Sequence, residues 1–347
     1  MPRKTRQNSI TSDEKTALIN KSNMRLRDDF LTYLKSVQRS EKTIYGYAND
    51  LLIAMTYILD HADNKNFAKL TKRDIAALQN WLINENGNSP SRVRRIKAAM
   101  SSLSNYISNI LDDEDEFKDF RPIVNKIENP AMQVVRKKTV WSDSELEDLL
   151  GKLSETGQHK KACVLALAMC SGRRKSELCR FRVDDFADAN IVCGGALYKT
   201  GEKIQTKGFG LGKYIHCYTL AKKFKPYFDA WMCERNGLGI QSEWLFPDVN
   251  DTSKQINPNT LNGWANLFSD MTGVDFYWHS LRHYFTTQLA RAGLPDGVIQ
   301  QILGWDSADM VGVYKDMSTE EQLAQFFDED GEIRKDSVRS VSDMFVN

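Results

Sequence analysis

Three separated stretches of this 347-residue chain carry side chains able to handle a phosphate. Ser171-Gly172-Arg173-Arg174-Lys175-Ser176-Glu177-Leu178 sets two adjacent arginines before a glutamate. His279-Ser280-Leu281-Arg282-His283 spaces an imidazole and a guanidinium by three residues, which puts both on one helix face. Leu303-Gly304-Trp305 is followed by Tyr314. Each stretch alone is weak, since paired arginines are usually surface charge and a single tyrosine usually packs in a core or an interface. Together, their residue types suit one reaction. A phosphodiester attacked by an oxygen nucleophile passes through a five-coordinate phosphorus with added negative charge. Two guanidiniums can clamp that charge in bidentate fashion without losing their own. A tyrosine hydroxyl, with an unperturbed pKa of about 10, needs such a cationic pocket to attack well.

The order and spacing of these stretches resemble the catalytic domain of the tyrosine recombinase, or phage integrase, family. That pattern runs [ST]-G-x-R-x-[SG]-E-L, a lysine on a β-hairpin, H-x-L-R, L-G-[HW] and tyrosine. The resemblance spans roughly residues 140–317. It implies that Arg174, three residues after Ser171, is the first catalytic arginine, with Arg173 its alternative, and that Glu177 supports the box. It implies a hairpin lysine at Lys207, with Lys199, Lys203 and Lys213 nearby, acting as general acid toward the leaving 5′ oxygen. His279 and Arg282 form the second box, with His279 the acid/base beside the tyrosine. Trp305 stands where most members carry a histidine, and its indole N–H would donate to the phosphate. Tyr314 is the implied nucleophile, forming a covalent phosphotyrosine that later rejoins strands without ATP. No cofactor and no catalytic metal are expected, because these stretches lack the clustered carboxylates that hold magnesium.

The resemblance further implies double-stranded DNA with short inverted core sites as partner. It implies a homo-tetramer in the synapse and a monomer or dimer when free. About 22 residues precede the first core-binding helix, too few for an independent arm-binding domain. That favours a simple recombinase that integrates or excises a mobile element, with resolution of DNA dimers as the alternative. Two other readings stay open: a catalytically silent DNA binder of the same fold, and a topoisomerase or telomere resolvase with the same active-site logic.

The elements that must position these residues divide into two regions of mainly α structure with a small antiparallel β-sheet. Residues 1–22 are basic, with six Lys/Arg against two Asp/Glu in the first 25, and are expected to be a flexible arm. Residues 23–120 show helical periodicity at Leu26, Phe30 and Leu34, again at Leu51, Met55 and Ile58, and again at Ile75, Leu78 and Leu82. They are expected to be helical, and the family resemblance implies that they form its SAM-like core-binding domain. Ser40, Thr71 and Ser89-Pro90 read as helix starts. The helix after Pro90 carries Arg92, Arg94, Arg95 and Lys97, with Val93, Ile96, Met100, Leu103 and Ile107 on its apolar face. Those four cations are the candidate phosphate contacts; the plain alternative is an ordinary solvated face. Residues 121–140 read as an extended linker. Ser142 with Glu145 reads as a capping box opening the catalytic domain, 141–318. Short strands are expected near 191–192, 196–198, 203–205 and 214–218. The tail 319–347 is acidic yet carries Leu323, Phe326 and Phe327; the family resemblance implies a helix docked on a neighbouring subunit, with docking on its own protomer as the alternative.

Composition excludes some classes. No apolar run reaches the ~18 residues of a membrane span, and no secretory signal opens the chain, so a cytoplasmic location is expected. The six cysteines form no CxxC pair and read as buried thiols. The net charge of +1 decides nothing, because a DNA binder needs local positive charge.

Overall fold

In the computed structural model, the described residues are 10–132, 139–206, 212–318 and 321. The expectations for Lys207 and for the tail beyond residue 321 fall outside them. The described residues form an N-terminal unit up to residue 132 and a C-terminal unit from residue 139 onward.

The N-terminal unit is helical: α1 (Asp13–Leu18), α2 (Lys21–Ser36), α3 (Glu41–His61), α4 (Lys72–Asn80) and α5 (Pro90–Ile110). Side-chain caps start each one. Ser12, Asn20, Ser40 and Ser89 accept from backbone N–H groups, and Thr71 forms a reciprocal box with Asp74. Such caps satisfy donors that a helix start otherwise leaves orphaned. One face of each of α2 to α5 meets in a core that includes Phe30, Leu51, Met55, Leu78, Ile96 and Leu103.

Two expectations change here. The stretch 1–22 is not all flexible arm: α1 is helical, Ile19 is buried, and the Asn64 side chain bonds the backbone at Leu18 and Asn20. The linker is not extended from its first residue either. Val124 is buried in the N-terminal core and Val124–Lys126 forms a 3-10 turn, so the connector begins as part of that unit.

The C-terminal unit has α6 (Asp143–Glu155), α7 (His159–Ser171), α8 (Lys175–Leu178), α9 (Ala221–Gly237), α10 (Thr260–Thr272), α11 (Trp278–Arg291), α12 (Asp296–Leu303) and α13 (Asp309–Tyr314). Between α8 and α9 lie β1 (Ile191–Val192), β2 (Leu197–Lys199), β3 (Ile204–Thr206), β4 (Lys213–Ile215) and β5 (Tyr218–Leu220). Strands β1, β2 and β5 form one antiparallel sheet, with Tyr198 opposite Ile191 and Thr219. Strands β3 and β4 form a separate antiparallel pair, with Thr206 opposite Lys213. The Ser142–Glu145 capping box opens α6.

Helix α7 is buried continuously from Ala162 to Ser171. A helix apolar all round belongs inside, and α6, α9 and α11 pack on it. Two polar ties fix α11 against the start of this unit. Trp141 Nε1 donates to Ser280 Oγ at 2.8 Å, and the Tyr284 hydroxyl donates to Asp143 at 2.7 Å. Of the cysteines, Cys163, Cys170, Cys179 and Cys217 are buried, whereas Cys193 and Cys233 are exposed. No helix among the described residues is long and apolar enough to cross a membrane.

Candidate active site and nucleic-acid interface

The pocket is built where helices end. Helix α7 stops at Gly172, whose φ of +60° lies in the left-handed region. A Cβ there would also strike the Phe285 ring. The turn delivers Arg173 and Arg174 back toward α11. Gly304, at φ +67°, likewise ends α12 and turns Trp305 inward. Helix α13 then ends on Tyr314.

Arg174, His279, Arg282, Trp305 and Tyr314 come together, and Glu177 lies beneath them. His279 Nε2 is 2.7 Å from the Tyr314 hydroxyl. Trp305 packs on the Tyr314 ring at 4.9 Å between centroids, and the Arg282 guanidinium carbon lies 4.9 Å from the Trp305 ring and 5.8 Å from that of Tyr314. Arg282 is fully buried and donates to the carbonyl oxygens of Gly172 at 2.8 Å and Leu303 at 3.2 Å. Those carbonyls end the two helices just described, so the caps also aim the arginine. Arg174 Nη1 donates to Glu177 at 2.9 Å and to the Thr206 hydroxyl at 3.0 Å. The Thr206 hydroxyl in turn donates to Glu177, which also accepts from the backbone N–H of Arg174.

The electrostatics follow from this crowding. Burial pushes the Glu177 carboxyl up, but Arg173, the Thr206 bond and Arg174 together outweigh it and hold the group below the usual carboxylate range. It is therefore an anion. Burial, then Arg173 and Arg174, bring Arg282 down to about 9, which leaves it cationic at neutral pH. Burial of the imidazole, followed by His283, Arg282 and Arg174, brings His279 down to about 4. At neutral pH it is uncharged and able to accept a proton. Two buried donors, Arg282 Nε and Trp305 Nε1, have no hydrogen-bond partner among the described residues. Native cores rarely leave such groups unmet unless a site uses them.

Sequence reasoning missed Thr206 and the parts played by three groups it had named, Arg173, His283 and Lys213. Thr206 gives no motif signal; it is found only through strand pairing. Arg173, the alternative to Arg174, is buried and donates to the Ser171 and Ile302 carbonyls, which makes it a brace under the pocket. His283 packs its ring 4.5 Å from that of Tyr314 and lies 3.7 Å from Asp316. The Asp316 backbone N–H donates to the Thr287 hydroxyl. Both contacts hold the chain just past the tyrosine. Lys213, one of the lysines near the hairpin, is taken up by Asp306 and the Gly304 carbonyl.

The four cations of α5 do not share one role. Lys97 is a correction: it is 4% exposed, and its ammonium donates to Gln79 at 2.7 Å and to the carbonyls of Ile127 and Glu128. The periodic face placed it outside the core, but the connector folds over it. Arg94 similarly holds the Pro130 carbonyl with two donors, at 3.0 and 2.8 Å. Arg92 and Arg95 both close on Asp50, which is fully buried in α3, yet their side chains stay 28% and 56% exposed.

A model of the phage integrase family matches residues 140–321, just over half of the chain. The chain belongs to the phage integrase family. A model of the phage integrase N-terminal SAM-like domain matches residues 26–114. A tyrosine recombinase of Thermosipho africanus is 23% identical over 311 residues, covering 85% of this chain and 95% of that protein. Among solved structures, the XerH site-specific recombinase bound to palindromic difH substrate superposes with a TM-score of 0.62 at 17% identity, over 81% of this chain and 78% of that one. A lambda integrase tetramer bound to a Holliday junction gives 0.61 at 16% identity, over 88% and 81%. At such identities the two structures speak for a shared fold. This integrase-family chain is a tyrosine recombinase, an enzyme that breaks and rejoins DNA at specific sites.

Proposed function

We propose that Tyr314 attacks the scissile phosphodiester and forms a 3′-phosphotyrosine. The tyrosine oxygen bonds to phosphorus, the bond to the 5′ oxygen breaks, and His279 takes the phenolic proton. Arg174, Arg282 and the Trp305 indole N–H stabilise the charge on the non-bridging oxygens. Donors already in place for developing charge are usually the largest catalytic contribution. Lys207 is the proposed general acid for the leaving oxygen. A later attack by a free 5′ hydroxyl reverses the step on a new partner strand. The observation that carries this reading is the 2.7 Å contact of His279 Nε2 with the Tyr314 hydroxyl, beside the buried donors of Arg282 and Trp305.

The proposed substrate is double-stranded DNA with short inverted core sites, bound in the cytoplasm by a monomer or dimer and exchanged within a homo-tetramer. The helical N-terminal unit would grip the core site. The lambda integrase tetramer on a Holliday junction supports that assembly, and XerH on a palindromic substrate supports the inverted sites. The proposed biological role is integration and excision of a mobile element. Resolution of DNA dimers by an Xer-like recombinase is the second reading, and the likeness to Xer recombinases fits it.

Incubation with nicked duplexes that trap a cleaved strand tests the chemistry. A covalent protein–DNA adduct that disappears in Tyr314→Phe is expected. Absence of any adduct would mean a silent binder, and relaxation of supercoils without site preference would mean a topoisomerase.

A further inference from the structure

In the N-terminal unit, a carboxylate with no exposure to solvent sits under two solvent-reaching arginines. Asp50 lies on α3, and Arg92 and Arg95 approach it from α5, with Arg95 Nε at 2.9 Å. The contacts are ionic: among the described residues, neither Asp50 oxygen receives an aligned hydrogen bond. A buried charge is costly unless paired, so the carboxylate holds both guanidiniums in place. The neighbouring turn of α3 makes room for this. A Cβ on Gly46 would run into the Arg95 guanidinium, and it would meet nothing else closely.

The surface above the carboxylate is cationic to solvent because its acid is hidden. Lys42, Tyr45 and Gly46 share one face of α3 by their spacing. Lys42 is exposed and Tyr45 is 69% exposed. Arg95 stands beside Gly46, and Arg92 lies one turn earlier on α5. Two guanidiniums held side by side, with an aromatic and an ammonium at the border, match the acceptor-rich edges and phosphates of a DNA major groove.

We propose that Asp50 is a positioning residue that holds Arg92 and Arg95 for reading base edges, so that this face of α3 and α5 selects the core sequence. This rests on the reading of the chain as a DNA recombinase whose N-terminal unit grips the core site. It assigns discrimination, as distinct from mere affinity, to one buried acid and one glycine.

The test uses the full chain and a pool of random-sequence duplexes. Wild-type protein selects its preferred duplex. Affinity is then measured for that duplex and for a scrambled one of the same composition, beside the melting temperature. Gly46→Ala displaces only the flexible end of Arg95 and puts a better helix former on α3. It is expected to melt at or above the wild-type temperature, yet to lose roughly tenfold in the ratio of the two affinities, the scale of one bidentate base contact. Asp50→Asn is expected to lose discrimination at least as much, while binding the scrambled duplex as tightly or more tightly, since an anion has gone. If both variants keep full discrimination while the double variant Arg92→Ala/Arg95→Ala loses it, the positioning role is wrong and the DNA face stands. If weakening is equal on both duplexes and melting falls, Asp50 is merely structural. If the double arginine variant binds and discriminates like wild type, the DNA-gripping reading of this face fails as well.

Discussion

Two regions of this molecule solve the same electrostatic problem in different ways. In the C-terminal unit, buried Glu177 faces Arg173 and Arg174 and is tied in by directional hydrogen bonds from Arg174 and Thr206. In the N-terminal unit, buried Asp50 faces Arg92 and Arg95 through ionic contact without aligned hydrogen bonds. The first arrangement fixes angle as well as position. That suits a reaction whose charge develops on a few oxygens of one phosphate, where misplacement is costly. The second leaves both arginines partly open to solvent above the hidden acid, which suits contact with a groove. A buried acid under a pair of arginines thus occurs in both units, once within the site and once below a solvent-facing surface.

The comparison breaks first at the nucleophile. Tyr314→Phe should abolish the covalent adduct while retaining DNA binding, read by denaturing gel and by gel shift; a persisting adduct would move the nucleophile elsewhere. Next come the clamping arginines. Arg174→Ala or Arg282→Ala should slow single-turnover cleavage by about 10²–10³-fold or more, and cleavage at the wild-type rate would remove that residue from the machinery. Glu177→Gln should cost about 3–5 kcal/mol of stability, because it strips a buried guanidinium of its counter-charge. The denaturation midpoint checks this.

A subtler probe is protonation. His279 lies well below its unfolded value of about 6.5, so its contribution to stability is complete above that pH and is lost as pH falls toward about 4. Carbon NMR of the imidazole in the free chain should titrate with a midpoint of about 4, and bound phosphate should raise it. Smallest is Arg94→Ala. It should lower stability by about 1 kcal/mol through its lost bonds to Pro130, and shift the salt dependence of DNA binding less than loss of Arg92 or Arg95 does.

How legible these regions were in sequence follows from the same contrast. Arg174, His279, Arg282, Trp305 and Tyr314 could be picked out because each sits in a short local pattern at a helix start or end. Ser40, Thr71, Ser89 and Ser142 marked helix starts for a similarly local reason. Thr206 and Asp50 could not be picked out, since their partners lie about 30 to 45 residues away and pairing across strands or helices leaves no periodic trace. Lys97 was misread for a related reason. Helical periodicity showed the face it shares with Val93 and Met100 only in part, and gave no sign that residues 127–128 fold back to cover it.

The short contact between His279 and Tyr314 lies within one polypeptide, and His283 and Thr287 fasten Tyr314 and Asp316. On the proposed chemistry, each subunit of an assembly arrives already armed with its own attacking oxygen. A tyrosine mutant mixed with an arginine mutant should then be unable to lend each other the missing part. Any control over when a subunit cuts would then have to act by loosening this clasp, not by handing a nucleophile across.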